Sequence, residues 1–288
     1  MDDPYRDRLL GEGYPQLEQR SADAYIDILK VRPDDTARVE RLLLHLGRIV
    51  NLQPCRKILV LGCGPKPQVS RILMDKGYQV VGVDPSLTYV EEAQRYLGDQ
   101  GSVLQGAAEE IPLPDASQDL VFFESVLEHV DSVSRSLNEI ERVLKPGGAL
   151  YLSTTNRFRF SPRGHNGEYN VRFFNWLPRS VKESFVFLHL HYAPALANYS
   201  ARPAVHWFSY GELCGLGREA GFARFYTMLD VLRPSDQVMR SNMFRRIIGQ
   251  SLPKIQRNAW LRALVLSQRG SSIIMLKRGE IDAHDERG

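Results

Sequence analysis

Cysteine is scarce in this chain, with three residues among 288, and this scarcity excludes two classes of protein. Cys55, Cys63 and Cys214 are odd in number and show no Cys-x-x-Cys or Cys/His ligand spacing. Neither a disulfide framework nor a structural zinc site is therefore predicted, and no metal is expected.

Long apolar runs and an excess of one charge are also lacking. No window approaches the roughly 18 apolar residues of a membrane span. The first residues, MDDPYRDRLL, carry acids and no apolar core of the signal-peptide type, so cytoplasmic residence is the expectation. The formal net charge of +3 gives no global basic field, so it neither demands nor excludes a nucleic-acid partner.

The chain is organised around residues 57–84, KILVLGCGPKPQVSRILMDKGYQVVGVD. The apolar run 58–61 is too short for a helix and stops at glycines, so it predicts a buried strand that enters a tight turn. Helical spacing follows, with Pro67 in the first turn and Gly77 at the C-cap. A second strand then ends on Asp84, which completes a βαβ unit.

Glycines at the end of the first strand and an acid about 20 residues later suit a nucleoside ligand. Gly62 and Gly64 let a ligand approach the backbone, and Asp84 can accept hydrogen bonds from ribose hydroxyls. A dinucleotide fingerprint requires a third glycine for its pyrophosphate, whereas this turn continues with residues 65–67, Pro-Lys-Pro. An adenosine-type ligand without a diphosphate is the better hypothesis.

The rest of the chain alternates predicted strands and helices. Helices are predicted at 17–31, 35–52, 88–97 and 133–144, and another begins after residue 208. Further strands are predicted at 102–105, 119–123, 149–153, 222–227 and 271–277. This alternation predicts an α/β fold with a Rossmann-like, mostly parallel, seven-stranded sheet and helices on both faces. The ligand site is expected at the carboxyl ends of the strands.

Four motifs carry a resemblance to a known family: ILVLGCGP, VVGVDPS, GAAEEIPLPDASQDLVFFESVLEHV and IERVLKPGGALYLSTTN. In order and spacing they resemble the class I S-adenosylmethionine-dependent methyltransferases, especially the small-molecule branch called methyltransferase type 11. The resemblance covers about residues 45–156 and resumes at 208–225. It implies a transferase that uses S-adenosyl-L-methionine as its cofactor and has an antiparallel seventh strand.

The resemblance also implies which residues bind the cofactor. The glycine turn would carry its methionine and ribose part, the acid after the second strand would bind the ribose hydroxyls, and the loop after the third strand would flank adenine. The two residues that end the fourth strand would border the sulfonium and the substrate. These cofactor-binding residues are Gly62, Cys63, Gly64, Asp84, Pro85, Ala108, Glu109, Glu124 and Ser125.

Three positions depart from the family pattern. Val60 replaces an acid that often steadies the methionine amino group, Lys66 stands where a third glycine is common, and Ala107 replaces an aspartate that often meets adenine. Each change removes a hydrogen bond worth about 1 kcal/mol net. Glu124 and Glu109 are the nearest substitutes, and a non-catalytic binding or scaffold protein on the same fold is the alternative.

The acceptor is constrained by the residues after the fourth strand. Related adenine and cytosine amino methyltransferases carry Asn or Asp, two prolines and an aromatic there, but residues 124–127 are Glu-Ser-Val-Leu. Nucleic acid is therefore an unfavoured substrate, and a small-molecule hydroxyl, aromatic, lipid-linked or sugar-linked, is favoured ahead of a small amine. Because imidazole titrates near neutrality, His129, His165 and His206 are the candidate catalytic bases.

We divide the chain into segments that follow from these patterns. They are an N-terminal helical cap (1–50), a cofactor-binding core (51–156), an inserted substrate cap rich in aromatics and histidines (157–207), the completion of the core (208–279) and a flexible tail (280–288). The completion contains a basic helical insertion at about 232–268. Its span 233–269 interleaves basic and apolar residues, which fits either a helical hairpin packed on the sheet or peripheral contact with anionic lipid. The oligomeric state is not predicted.

A nicotinamide-dependent oxidoreductase is the rival enzyme class. It would share the βαβ unit and the acid at Asp84. It would also need a pyrophosphate loop, which residues 65–67 do not provide, and it would leave Lys145-Pro146-Gly147-Gly148 unexplained.

Overall fold

The computed structural model describes residues 34–52, 57–157, 171, 173–188, 204, 206–236, 243–267 and 271–279. The strands are β1 Lys57–Leu61, β2 Gln79–Asp84, β3 Ser102–Gln105, β4 Gln118–Glu124, β5 Leu144–Thr154, β6 Phe222–Thr227 and β7 Ser271–Lys277. The helices are α1 Thr36–Leu46, α2 Gln68–Asp75, α3 Leu87–Leu97, α4 Val133–Val143, α5 Arg179–Leu188, α6 Tyr210–Glu219, α7 Met228–Val231, α8 Met243–Arg257 and α9 Ala259–Leu266.

The strands form one sheet in the order β3-β2-β1-β4-β5-β7-β6. Neighbours from β3 to β5 pair in parallel, and β7 runs antiparallel to both β5 and β6. This arrangement confirms the predicted Rossmann-like, mostly parallel sheet and its antiparallel seventh strand. The strand order reverses at β1, which lies between β2 and β4, so a crevice opens at the carboxyl ends of β1 and β4.

Apolar side chains cover both faces of the sheet. Along β4, Val121 and Phe123 pack into the cluster that includes α4 and α6, whereas Leu120 and Phe122 pack into the cluster that includes α1 and α2. Side chains alternate between faces along a strand, and here both faces are covered. Because both faces of β4 are buried, its residues 120–123 form a continuous apolar run in the sequence.

Helix α1 is shorter than predicted. Asp35 is its N-cap, and the helix ends at Leu46 instead of continuing to Leu52. Gly47, a poor helix former, begins a turn in which the N–H of Ile49 donates to the carbonyl of Leu46. The shorter helix still has an apolar face, whose buried residues are Val39, Leu42, Leu43 and Leu46.

Strand β5 begins earlier than predicted. Its pairing passes from Leu144 opposite Gln118 to Ala149 opposite Leu120, with a shift of register between the two pairs. Residues 145–148, which lie between the predicted helix at 133–144 and the predicted strand at 149–153, are a bulge within β5. A bulge accommodates extra residues and the missing N–H of a proline, so the glycine-proline signal misplaced the start of the strand.

Two inserted segments are described in part. Within 157–207 the structure describes a 3-10 turn, Phe174–Trp176, followed by α5. The basic insertion contains α8 and α9. The predicted helix at 17–31 and the tail lie outside the described residues, and the segment boundaries stay predictions.

A buried charge cluster joins the end of α1 to the segment after α7. The Arg48 guanidinium donates to Asp236 over 2.9 and 2.5 Å and to the carbonyl of Val231 over 2.5 Å. His45 Nε2 lies 3.5 Å from the same carboxylate. The Arg48 hydrogen bond lowers the pKa of Asp236 to about 2, and burial lowers the pKa of His45. The permanently charged Arg48 and the predominantly neutral imidazole of His45 therefore both contact the Asp236 carboxylate.

Replacing Asp236 by Asn should lower the free energy of unfolding at pH 7 by about 2 kcal/mol or more, because Arg48 loses its buried counter-charge. The depressed pKa stabilises the fold above about pH 4, and this contribution disappears as the pH falls toward about 2. The difference between wild type and variant in urea unfolding should therefore shrink across that interval. Asp99→Asn, an exposed control, should change little; a difference independent of pH would contradict the prediction.

Candidate functional site

The turn after β1 approaches its neighbours too closely for any residue but glycine. Gly62 has φ +69°, and its N–H donates to the carbonyl of Val83 over 2.7 Å. A Cβ at Gly62 would lie 2.2 Å from Val126 Cγ2. Gly64 also has a positive φ, +66°. The bare backbone of this turn consequently lies against the segment that follows β4.

The Asp84 carboxylate at the end of β2 holds this turn in place. Its Oδ2 accepts the N–H of Gly64 over 2.9 Å, and its Oδ1 accepts the N–H of Ser86 over 3.1 Å. Ser86 is in turn the N-cap of α3, where its hydroxyl accepts the N–H of Tyr89. The two oxygens of one carboxylate therefore join the glycine turn to the start of α3.

Cys63 lies inside the glycine turn but does not offer a thiolate. Burial, and then the charge of Asp84, raise the pKa of the Cys63 thiol well above its usual range. Its Sγ lies where a Cβ at Gly82 would come within 3.0 Å. Cys63 therefore contributes close packing and a backbone N–H to the turn, and it is not a nucleophile.

A small cavity of about 60 Å³ lies between this turn and the loop after β3. Gly106 brings the loop close, since its N–H donates to the Asp84 carbonyl over 3.1 Å and a Cβ there would lie 2.5 Å from Pro112 Cδ. The cavity is lined by Leu61, Gly62, Pro85, Gly106, Ala107, Ala108, Glu109, Val126, His129 and Val130. Five of the predicted cofactor-binding and catalytic residues thus line one cavity: Gly62, Pro85, Ala108, Glu109 and His129.

The Glu109 carboxylate is committed to the protein backbone. Its Oε1 accepts the N–H groups of Asp131 over 2.6 Å and Ser132 over 3.0 Å, at the start of α4. An acid at this position also suits the positive end of the helix dipole. Glu109 therefore shapes the cavity wall.

Glu124, at the end of β4, forms an ion pair that the sequence did not reveal. Arg38 Nη1 lies 2.7 Å from Glu124 Oε1, and Arg38 Nη2 lies 3.4 Å from Glu124 Oε2 and 3.1 Å from Asp35 Oδ2. Burial, the largest influence, acts to lower the pKa of Arg38, but the two carboxylates outweigh it and raise that pKa further. The Nε of Arg38 is buried without a hydrogen-bond partner.

Ser125 holds a strained backbone at the crevice where the strand order reverses. Its φ is +55°, unusual for a residue other than glycine, and its N–H donates to the carbonyl of Ser153 over 2.7 Å. Such strain is concentrated at functional sites, where the surrounding structure enforces it. The geometry turns the chain sharply from β4 toward the cavity-lining residues Val126 and His129.

Two of the three candidate histidines lie beside the same turn. His129 lines the cavity, and His206 Nε2 lies 3.0 Å from the carbonyl of Val130. The backbone N–H of His206 donates to the carbonyl of Glu128 over 3.2 Å, and the buried Glu128 carboxylate accepts the Thr154 hydroxyl over 2.7 Å. His165 lies outside the described residues.

Sequence reasoning missed Arg38 and Glu128. Arg38 was hidden because α1 was interpreted only through its apolar face, although Asp35, three residues before it, suggested a pair on one side of a helix. Nothing near Glu128 in the sequence indicated its contact, because its partner Thr154 lies at the end of β5. Among the described residues, no group of three His, Cys, Asp or Glu side chains could hold a metal ion.

Residues 59–152 match the family described as a methyltransferase domain. A Mycolicibacterium smegmatis protein named "probable S-adenosylmethionine-dependent methyltransferase" is 36% identical over 108 residues, which are 37% of this chain and 41% of that protein. A malonyl-[acyl-carrier protein] O-methyltransferase of Enterobacter lignolyticus is 36% identical over 98 residues, 34% of this chain and 38% of the relative. The chain spans about two fifths of the length of these curated relatives.

A solved S-adenosylmethionine-dependent methyltransferase structure from Methanosarcina mazei shares the fold. It is 22% identical, covers 80% of this chain and 95% of its own, and superposes with a TM-score of 0.50. At that identity the likeness concerns the fold alone.

Gly62→Ala should lower the free energy of unfolding by about 2 to 4 kcal/mol, since the change adds a left-handed strain and a contact with Val126. Gly77→Ala is the matched control, because Gly77 has φ +88° but nothing within 4 Å of the added Cβ. It should cost only the strain, about 1 kcal/mol. Urea unfolding measures both changes, and an equal cost would contradict the proposed close approach.

Proposed function

We propose that this chain, whose residues 59–152 match a methyltransferase-domain family, transfers a methyl group from S-adenosylmethionine to an oxygen atom of a small-molecule acceptor. The observation that carries the proposal is the arrangement around Asp84. Its carboxylate is fixed by the N–H of Gly64, beside a turn that leaves no room for a side chain at Gly62. A ribose diol is the group that such a carboxylate recognises.

The residues present fit the rest of this cofactor. The adenine ring can lie in the cavity beside Ala108, whose neighbours Gly106 and Ala107 are also small. Arg38 and Glu124 can hold the amino-acid end, with the guanidinium toward its carboxylate and the acid toward its ammonium. The unpartnered, buried Nε of Arg38 supports this role. This pair compensates for Val60, which packs in the apolar cluster beneath α1.

A dinucleotide fits poorly. Its pyrophosphate needs free backbone N–H groups at the start of a helix. In this chain Pro67 precedes α2 and has no N–H, and the N–H of Gln68 already donates to the carbonyl of Lys66 over 2.8 Å. An oxidoreductase that uses a nicotinamide cofactor is therefore disfavoured.

In methyl transfer the protein itself takes little part in the covalent chemistry. Bound S-adenosylmethionine supplies an electrophilic methyl group on its sulfonium. The chain has to align the acceptor oxygen, exclude water and remove a proton from a hydroxyl. His206, tied to the turn after β4 through Val130 and Glu128, is our candidate base. His129 lines the cavity beside the adenine position, so we assign it a cofactor contact.

Oxygen is favoured as the acceptor atom for two reasons. Residues 124–127 lack the proline pair that amino methyltransferases of this fold carry after the fourth strand. One similar protein is named as an O-methyltransferase. In the inserted cap the rings of Phe173 and Trp176 lie 4.8 Å apart and are half exposed, which suits an acceptor with an apolar portion.

Calorimetric titration should show micromolar binding of S-adenosylmethionine and S-adenosylhomocysteine and none of NAD. Asp84→Asn should weaken both sulfur ligands and methylthioadenosine about tenfold or more, because all three carry the ribose diol. Arg38→Met should weaken only the two ligands that carry an amino-acid end. Arg41→Met, an exposed arginine on the same helix, is the matched control.

Two results would contradict this assignment. If neither sulfur ligand binds the folded wild type, the scaffold alternative replaces the enzyme. If Arg38→Met weakens methylthioadenosine as much as S-adenosylhomocysteine, Arg38 supports the fold and does not hold the amino-acid end.

Radiolabelled methyl transfer to a panel of phenols, aliphatic alcohols, carboxylic acids and amines should label an oxygen acceptor. His206→Asn should lower turnover on a hydroxyl by about a hundredfold or more while leaving the affinity for S-adenosylhomocysteine unchanged. A carboxylic acid, already ionised at pH 7, should be insensitive to this variant. His129→Asn should instead weaken S-adenosylhomocysteine. Label found only on amine nitrogen would overturn the oxygen assignment.

A further inference from the structure

We infer that the outer surface of α8 and α9 docks the protein on an anionic phospholipid bilayer. Helix α9, AWLRALVL, is almost entirely apolar, yet none of its residues is fully buried. Trp260 is 88% exposed, Leu264 60% and Leu261 41%. Residues three and four apart share one side of a helix, so Leu264 lies beside both Trp260 and Leu261 and the three form a single apolar surface.

The other side of α9 accounts for its place in the fold. Val265 and Leu266 pack against a small cluster in which Leu229, Leu252 and Ile255 are buried. Asn258 caps the helix by accepting the N–H of Leu261 over 3.0 Å. These contacts anchor α9 in the fold through the side that bears Val265 and Leu266.

The sequence of the insertion that contains α8 and α9 carries an excess of positive charge, which favours an anionic partner. The span 233–269 contains eight basic residues and one acid, and the basic residues are Arg233, Arg240, Arg245, Arg246, Lys254, Arg257, Arg262 and Arg269. The acid, Asp236, is paired inside the fold with Arg48. Arg262 is paired with Asp230 over 2.6 Å, whereas Lys254 and Arg257 are exposed beside the start of α9.

An exposed tryptophan and leucines flanked by cations match the interfacial region of an anionic bilayer. Indole rings favour the headgroup level, and each basic residue near the surface adds attraction to anionic lipid. A second copy of this chain is a poorer partner, because a two-fold contact would bring Lys254 and Arg257 toward their own copies. Among the described helices, none has the length and apolar character needed to cross the bilayer.

The surface lies at the same edge of the sheet as the cofactor site. Asn156, which follows the carboxyl end of β5, donates from Nδ2 to the carbonyl of Leu266 over 3.0 Å. Arg262 donates to the hydroxyl of Thr227, the last residue of β6, over 3.1 Å. A docked protein thus presents its strand ends toward the bilayer. If the proposed function holds, an amphiphilic acceptor can reach the site from the membrane; docking itself does not depend on that function.

Sedimentation with lipid vesicles tests the docking. The wild type should pellet with phosphatidylcholine vesicles that contain phosphatidylglycerol, but only weakly with pure phosphatidylcholine, and high salt should release it. Trp260 fluorescence should shift to shorter wavelength on binding. Trp260→Ser with Leu261→Ser, and separately Lys254→Glu with Arg257→Glu, should each lower binding by on the order of tenfold.

The control pair is Leu87→Ser with Arg95→Glu, which changes an exposed leucine and an exposed arginine on α3 and should leave binding unchanged. All variants should keep the wild-type circular dichroism and affinity for S-adenosylhomocysteine, so a docking failure is distinguishable from a failed cofactor site. The inference is overturned if the folded wild type ignores anionic vesicles. It is also overturned if light scattering shows a dimer that Trp260→Ser dissociates, because the surface is then a subunit interface.

Discussion

The carboxylate of Asp84 is the group on which the site depends. By accepting the N–H groups of Gly64 and Ser86, it ties the turn after β1 to the start of α3. Without it, the two backbone segments that border the crevice would each lose a charge-assisted hydrogen bond in a buried position. The glycine turn and the acid therefore act as one unit: the acid fixes the turn, and the diol that we propose as its ligand would bind beside both.

Helix α1 closes the other side of the crevice, and its charges explain how. Arg38 reaches Glu124 at the end of β4, while Arg48 is buried against Asp236 in the segment after α7. Both contacts join residues far apart in the chain, so the helix is anchored at each end. In the proposed function, the Glu124 carboxylate held by Arg38 would take the place of the acid that Val60 replaces in β1.

One edge of the sheet gathers elements that come from every part of the chain. The glycine turn, the loop after β3, the histidine-bearing turn after β4 and the end of α9 all lie at the carboxyl ends of strands. In a parallel sheet these ends must share an edge, because every crossover returns the chain in the same direction. The cofactor, acceptor and membrane surface that we propose would therefore all lie at this edge of the sheet.

The sequence by itself determined the sheet and much of the cofactor turn. The predicted positions of β1, β3, β6 and β7 agree with the structure to within a residue, and glycines marked the turn at residues 62–64, because these signals are local to the backbone. Boundaries that depend on pairing, such as the early start of β5 with its bulge, were misjudged. Only the tertiary structure decided the partners of long polar side chains: Arg38 with Glu124, Glu109 with the start of α4, and His206 with the turn after β4. Hydrogen bonds between residues far apart in the chain are set by the packing of whole elements, and no spacing in the sequence records that packing.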